Sequence, residues 1–165
     1  MAYSGMIADC FNAVSDLLEA AAVAGSIAVD PALVVQAVNA LSETPNVQVS
    51  LPSIPYENMK WNGSGNQKDS HFICECWVNA QLDGSRATPG GHAFGDGTAP
   101  GLLTIAAQVE DAIENGYATL KAANIRVVDV QLLNTIYTRQ VPGSTTVSAV
   151  VRVDFWLRYI AGSRG

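Results

Sequence analysis

Along the end of the chain, apolar and polar positions alternate strictly. Val147, Ala149, Val151, Val153, Phe155, Leu157 and Tyr159 interleave with Ser148, Val150, Arg152, Asp154, Trp156 and Arg158. A period of two over that length predicts a long β-strand with one buried face and one mixed face. The run before it, Ile125 to Gln140, is also strand-like: Val128, Val130 and Leu132 share a face, and Leu133-Asn134 breaks the phase, as a β-bulge does. Between the runs Ile125–Gln140 and Thr145–Ile160 lies Val141-Pro142-Gly143-Ser144. Proline pre-sets φ for the first central position of a type II turn and glycine supplies the positive φ of the second, so the two runs read as one hairpin.

Helical spacing appears earlier. Met6, Ile7, Cys10, Val14, Leu17, Leu18 and Ala21 recur at steps of three and four, predicting a helix over Ser4–Ala24 that stops at Gly25. Asp30-Pro31 offers an N-cap and a first-turn proline. Leu33, Val34, Val38 and Leu41 then predict a second helix ending near Ser42. Asn46–Leu51 alternates as a short strand, and Pro52 and Pro55 end its pairing. In His71–Leu82, Phe72, Cys74, Cys76, Val78, Ala80 and Leu82 share one strand face, opposite Ile73, Glu75, Trp77, Asn79 and Gln81. Leu102, Leu103, Ile105, Ala106, Val109 and Ile113 stripe a helix that ends at Asn115-Gly116, with a short helical turn through Lys121 after it. The elements predict an α+β fold: a largely antiparallel four-stranded sheet with a long C-terminal hairpin, packed by N-terminal helices and one central helix. Residues 1–165 read as a single domain with extended loops at 52–70 and 83–100, the second rich in glycine and proline.

Composition changes this picture in two ways. Charged residues make up only 15% of the chain, well under the usual quarter. A surface so poor in charge suits a subunit covered by other protein, with a monomer rich in Ser, Thr, Asn and Gln as the alternative. The net charge of −6, with nine Lys and Arg lacking any basic stripe, argues against nucleic-acid binding. No apolar run approaches the roughly 20 residues of a membrane helix, and no secretory signal pattern opens the chain.

Candidate chemistry is sparse. Cys10, Cys74 and Cys76 are an odd count without framework or zinc spacing, which points to reduced, buried thiols. His71 and His92 are the only histidines, and no nucleophile elbow accompanies them. Gly95-Asp96-Gly97-Thr98 precedes a helix but lacks the lysine of a phosphate-binding loop. No catalytic, cofactor or metal site is expected. On the mixed face of the hairpin, Arg126, Asp129, Arg139, Arg152, Asp154 and Arg158 set opposite charges along the strands. They read either as cross-strand pairs on a solvated face or as a mating surface whose charges set the register. Tryptophan and arginine are favoured interface anchors. The interface candidates are therefore Trp61, Phe94, Arg139, Arg152, Trp156 and Arg158.

The order of elements adds a resemblance. A helix, a short strand ending in proline (VQVSLPSIP), a long strand (HFICECWV), a helix (LLTIAAQVEDAIEN) and a closing hairpin (VQLLNTIYTRQVPGSTTVSAVVRVDFWLRY) follow one another. This resembles the tail terminator, or tail-completion, proteins of tailed bacteriophages. The second helix and the 83–100 loop exceed what a minimal member needs. The resemblance implies a structural, non-enzymatic virion protein in the tail or neck, assembled in the host cytoplasm. Its subunits would form a hexameric ring that caps the tail tube, stops its polymerisation and offers a surface for head joining. Its partners would be copies of itself, the tube protein and a neck or connector protein, with no membrane and no sequence-specific nucleic acid. The alternatives are another neck or head-completion connector, a tail tube subunit, or a small ligand-binding or enzymatic α+β domain with a pocket near Trp77.

Overall fold

The computed structural model describes residues 3–36, 43–50, 60–61, 67–81, 101–137 and 146–160. Among these, the chain forms helix α1 (Tyr3–Val23), a 3-10 turn at Pro31–Leu33, and strands β1 (Val34–Gln36), β2 (Asn46–Ser50), β3 (Lys60–Trp61) and β4 (Gln67–Gln81). Helices α2 (Leu102–Asn115) and α3 (Tyr117–Lys121) follow, then β5 (Val127–Tyr137) and β6 (Thr146–Ile160). The fold is α+β.

The sheet is largely antiparallel, but it is mixed and has more strands than the four expected: among the described residues β1 and β3 join it as short additional strands. Its order is β1-β2-β4-β6-β5, with β3 also paired to β4. β1 runs parallel to β2, whereas β2, β3, β4, β5 and β6 pair antiparallel. β4 and β6 form its spine, in register from Gln67↔Ile160 to Gln81↔Thr146.

The helix expected from Asp30 to near Ser42 is a correction. Asp30 does cap, its carboxylate accepting from the Ala32 N–H at 2.9 Å, and Pro31 does open a turn. The turn is 3-10 and lasts three residues; Val34-Val35-Gln36 then extends and pairs with Val47-Gln48-Val49. The adjacent β-branched valines lose rotamer freedom in a helix and pack well on a pleated surface. Residues 37–42 lie outside the described residues. The extended loop expected over 52–70 also contains strand structure. Lys60–Trp61 pairs with Lys68–Asp69, and β4 begins at Gln67, four residues before His71.

One face of the sheet carries the core. Phe72, Cys74, Cys76 and Val78 of β4 and Ala149, Val151, Val153, Phe155 and Leu157 of β6 meet Met6, Cys10, Val14 and Leu18 of α1 and Ile105, Ala106, Val109 and Ile113 of α2. The Phe72 and Phe155 rings stack at 5.3 Å. Period-two strands and period-3.6 helices thus supply complementary apolar faces, as the sequence pattern implies. Gly25 ends α1 in the left-handed region at φ 74°, a conformation that favours glycine. The expected bulge at Leu133-Asn134 is present as a register shift between Leu132 and Asn134, and a second shift separates Val127 from Asp129. The turn 141–144 lies outside the described residues.

Candidate functional site

The side chains left over after the core is built lie on the opposite, helix-free face and along the β5 edge. On that face β4 presents His71, Ile73, Glu75, Trp77 and Asn79, and β6 presents Ser148, Val150, Arg152, Asp154, Trp156 and Arg158. The register sets Glu75 opposite Arg152, His71 opposite Trp156 and Asp69 opposite Arg158.

Most of the charge on this face is satisfied inside the sheet. Arg158 donates to both carboxylate oxygens of Asp69, at 2.7 and 3.1 Å, a bidentate pair that holds the guanidinium pKa up. Arg152 Nε stands 3.5 Å from Glu75, whose carboxylate also accepts from the Trp77 indole at 3.2 Å. His71 Nδ1 lies 3.0 and 3.2 Å from the two oxygens of Asp154. At the other end Ser148 donates to Asn79, and Asn79 and Gln48 both donate to Asn46. Three of the charges seen in the sequence are therefore cross-strand partners. Their partners on β4 were not recognisable before the register was known.

Asp154 and Trp156 are the unusual members. Asp154 is 4% exposed, and its carboxyl pKa is raised by burial, with the His71 hydrogen bond and charge opposing the rise. The Trp156 ring stacks on His71 at 4.7 Å with the planes 9° apart. Its indole N–H is near enough to Asp154 to favour the ionised carboxylate, yet falls outside hydrogen-bond geometry and is buried without a partner.

The β5 edge differs in character. Val128, Leu133, Ile136 and Tyr137 are 43–48% exposed along this strand, and Ile125 just before it is 94% exposed. Among the described residues β5 ends the sheet, so its outer backbone groups face away from β6. Asp129 is the charged residue of the strand. It accepts from Tyr117 Oη at 3.0 Å, Gln131 Nε2 at 3.1 Å and the Val130 N–H at 2.9 Å, and these bonds lower its pKa. A cleft of about 190 Å³ lies on the helix-free side of β5, lined by Asp69, Val128, Asp129, Gln131, Trp156, Leu157 and Arg158. A second, of about 460 Å³, lies on the helix side, lined by Ile113, Glu114, Tyr117, Val130, Gln131 and Leu132.

The interface candidates divide accordingly. Trp156, Arg152 and Arg158 share the helix-free face, where both arginines are already engaged. Trp61 belongs to β3 on the opposite edge from β5. Phe94 and Arg139 lie outside the described residues, as does His92. The exposed apolar residues of β5 were missed as a set, because strand alternation alone does not say which strand ends the sheet.

Toward catalysis the arrangement offers little. His71 is oriented by Asp154 as a general base is, but its ring is covered on one face by Trp156. Cys10 and Cys76 are pushed up to about 12 by burial, and burial also raises Cys74, so all three are held as inert thiols. Among the described residues, no group of three or more His, Cys, Asp and Glu side chains is placed to hold a metal. Among them, too, no helix is long and apolar enough to cross a membrane. Trp77 lies on the face away from the helices, its indole donating to Glu75. No protein-family model matches the chain, and no curated protein matches it in sequence.

Proposed function

We propose that this chain is a structural subunit of a phage tail or neck, a tail terminator that assembles into a ring, caps the tail tube and offers a surface to the head side. The observation that carries this reading is the β5 edge: a long strand at the end of the sheet with four large apolar side chains 43–48% exposed. Isolated proteins blunt such edges with charge, proline or a cover, whereas this one has Asp129 as its charged residue. The low charge content fits the same conclusion, and so does the order of elements ending in a long hairpin. Self-association and tube binding are then the activity, carried by interfaces.

A test follows from the capping role. Tail tube protein polymerised in vitro should stop at shorter, uniform lengths when this protein is added in sub-stoichiometric amounts, with extra density at one tube end. Tubes of unchanged length and bare ends would contradict the terminator reading.

A second reading, a small enzyme or ligand-binding domain, draws on the His71–Asp154 pair, since an aspartate-oriented imidazole is the base of many hydrolytic sites. It predicts that His71→Ala leaves the assembly state intact and abolishes an activity. The assembly reading predicts no activity to lose.

A further inference from the structure

We propose that Asp154 is a two-position switch on the helix-free face, thrown by the proton on His71. In the observed position its carboxylate pairs across the strands with His71. In the other it turns along its own strand and accepts from Trp156 and Arg152. The inference is independent of the assembly reading.

Three N–H donors surround this one carboxylate. Residues 152, 154 and 156 of β6 alternate onto the same face, and His71 of β4, directly opposite Trp156, completes the set. His71 Nδ1 takes both oxygens, at 3.0 and 3.2 Å. Among the described residues, Trp156 Nε1 and Arg152 Nε are then buried donors without a hydrogen-bond acceptor. Arg152 Nε stands 3.5 Å from Glu75, in charge contact but outside hydrogen-bond geometry. The indole and the guanidinium are both close enough to Asp154 to favour its ionised form. A buried donor left unpaired is costly, and here two are left unpaired beside an acceptor with two oxygens. Such an arrangement holds only while the bond to His71 outweighs both.

The proton on His71 sets that balance. As an imidazolium, His71 gives the carboxylate a charge-assisted bond, the stronger kind. Asp154, at 4% exposure, needs such a partner, because burial disfavours a lone carboxylate. Once the imidazolium gives its proton to solvent the ring is neutral. In the tautomer protonated on Nε2, the Nδ1 lone pair then faces the carboxylate and repels it. The buried charge requires other donors, and Trp156 Nε1 and Arg152 Nε supply one for each oxygen. Histidine is the side chain whose charge ordinarily changes between about pH 5 and 8.

The other charged groups facing the pair are engaged elsewhere. On β4, Asp69 accepts both bonds from Arg158 of β6, and Glu75 accepts from the Trp77 indole. On β5, Asp129 accepts from Tyr117, Gln131 and the Val130 N–H. Gln131, which lies opposite Asp154 in the register, is thereby turned toward Asp129. Both arginines keep their charge through the neutral range, which leaves His71 to throw the switch. Its release unties the imidazole ring and draws Arg152 off Glu75, so the face presents a different set of polar groups on either side of the transition.

The test follows the Trp156 indole proton by NMR in the full chain carrying isotope-labelled tryptophan, with Trp156→Phe identifying its resonance. As pH rises from about 5 to 8, that proton should move downfield, the sign of a hydrogen bond gained, with a midpoint shared by the His71 ring protons. In Asp154→Asn the downfield movement should be lost, since no charged acceptor remains. An imidazolium acting only through its charge on the stacked indole would instead shift the resonance equally in both proteins. In His71→Phe, which keeps a ring against Trp156 and removes the nitrogen, the indole proton should stand at its high-pH position at every pH. A wild-type indole proton that does not move would overturn the switch. So would an Asp154→Asn protein that titrates as the wild type does, or a His71→Phe protein whose indole proton stays at the low-pH position.

Discussion

Asp154 sits at 4% exposure in the middle of a sheet face, and His71 is its hydrogen-bonding partner. Burial raises its folded pKa above the unfolded value, so the folded state holds the proton more tightly. The sign follows from linkage: this group favours folding most below the ordinary carboxyl range, and that contribution is lost as pH rises through the folded pKa. Asp154→Asn should therefore be at least as stable as the wild type at pH 7 and should gain less on acidification. Urea unfolding between pH 4 and 7 measures both; a variant that is less stable at pH 7, with an unchanged acid profile, would contradict this account. Asp129 works in the opposite sense, its lowered pKa favouring the fold above the carboxyl range and losing that support in acid. In the sequence Arg152, Asp154 and Arg158 were legible only as charges on a mixed face. Their partners, Asp69, Glu75 and His71, sit some 80 residues away along the chain, and only the register of β4 against β6 joins them.

At the scale of elements, periodicity was a good guide wherever packing agreed with it. α1, α2, β4, β5 and β6 occur where apolar spacing places them, and the phase break at Leu133 is a bulge. It failed between Asp30 and Gln36, where the cap and proline are real but the valines are taken by the parallel edge of the sheet. Local signals start an element; tertiary pairing decides what it becomes. The junction of α2 and α3 offers a test of packing. A Cβ on Gly116 would stand 2.3 Å from Leu17 Cδ2 of α1 and 3.0 Å from the Ala112 carbonyl oxygen. Gly116→Ala should destabilise the fold by about 1–3 kcal/mol, the usual cost of overpacking, as Leu17 shifts to make room. A melting temperature equal to the wild type's would show that α1 and the helix junction are looser than this.

For the whole molecule, the division of labour between the two sheet faces is the governing feature. The helix-bearing face makes the core from Phe72, Phe155 and their neighbours. The other face holds its own charges in pairs, so those arginines are poor anchors for a partner. Among the described residues, most of the large exposed apolar side chains lie on or beside the β5 edge, which the sequence could not single out because edge and interior strands alternate alike. The central claim is that this edge serves assembly into a ring. Native mass spectrometry of the purified protein, with negative-stain images of the same sample, tests it most directly. The account predicts a closed six-subunit species with a central hole; a stable compact dimer or a monomer that stays monomeric beside tail tubes would contradict it.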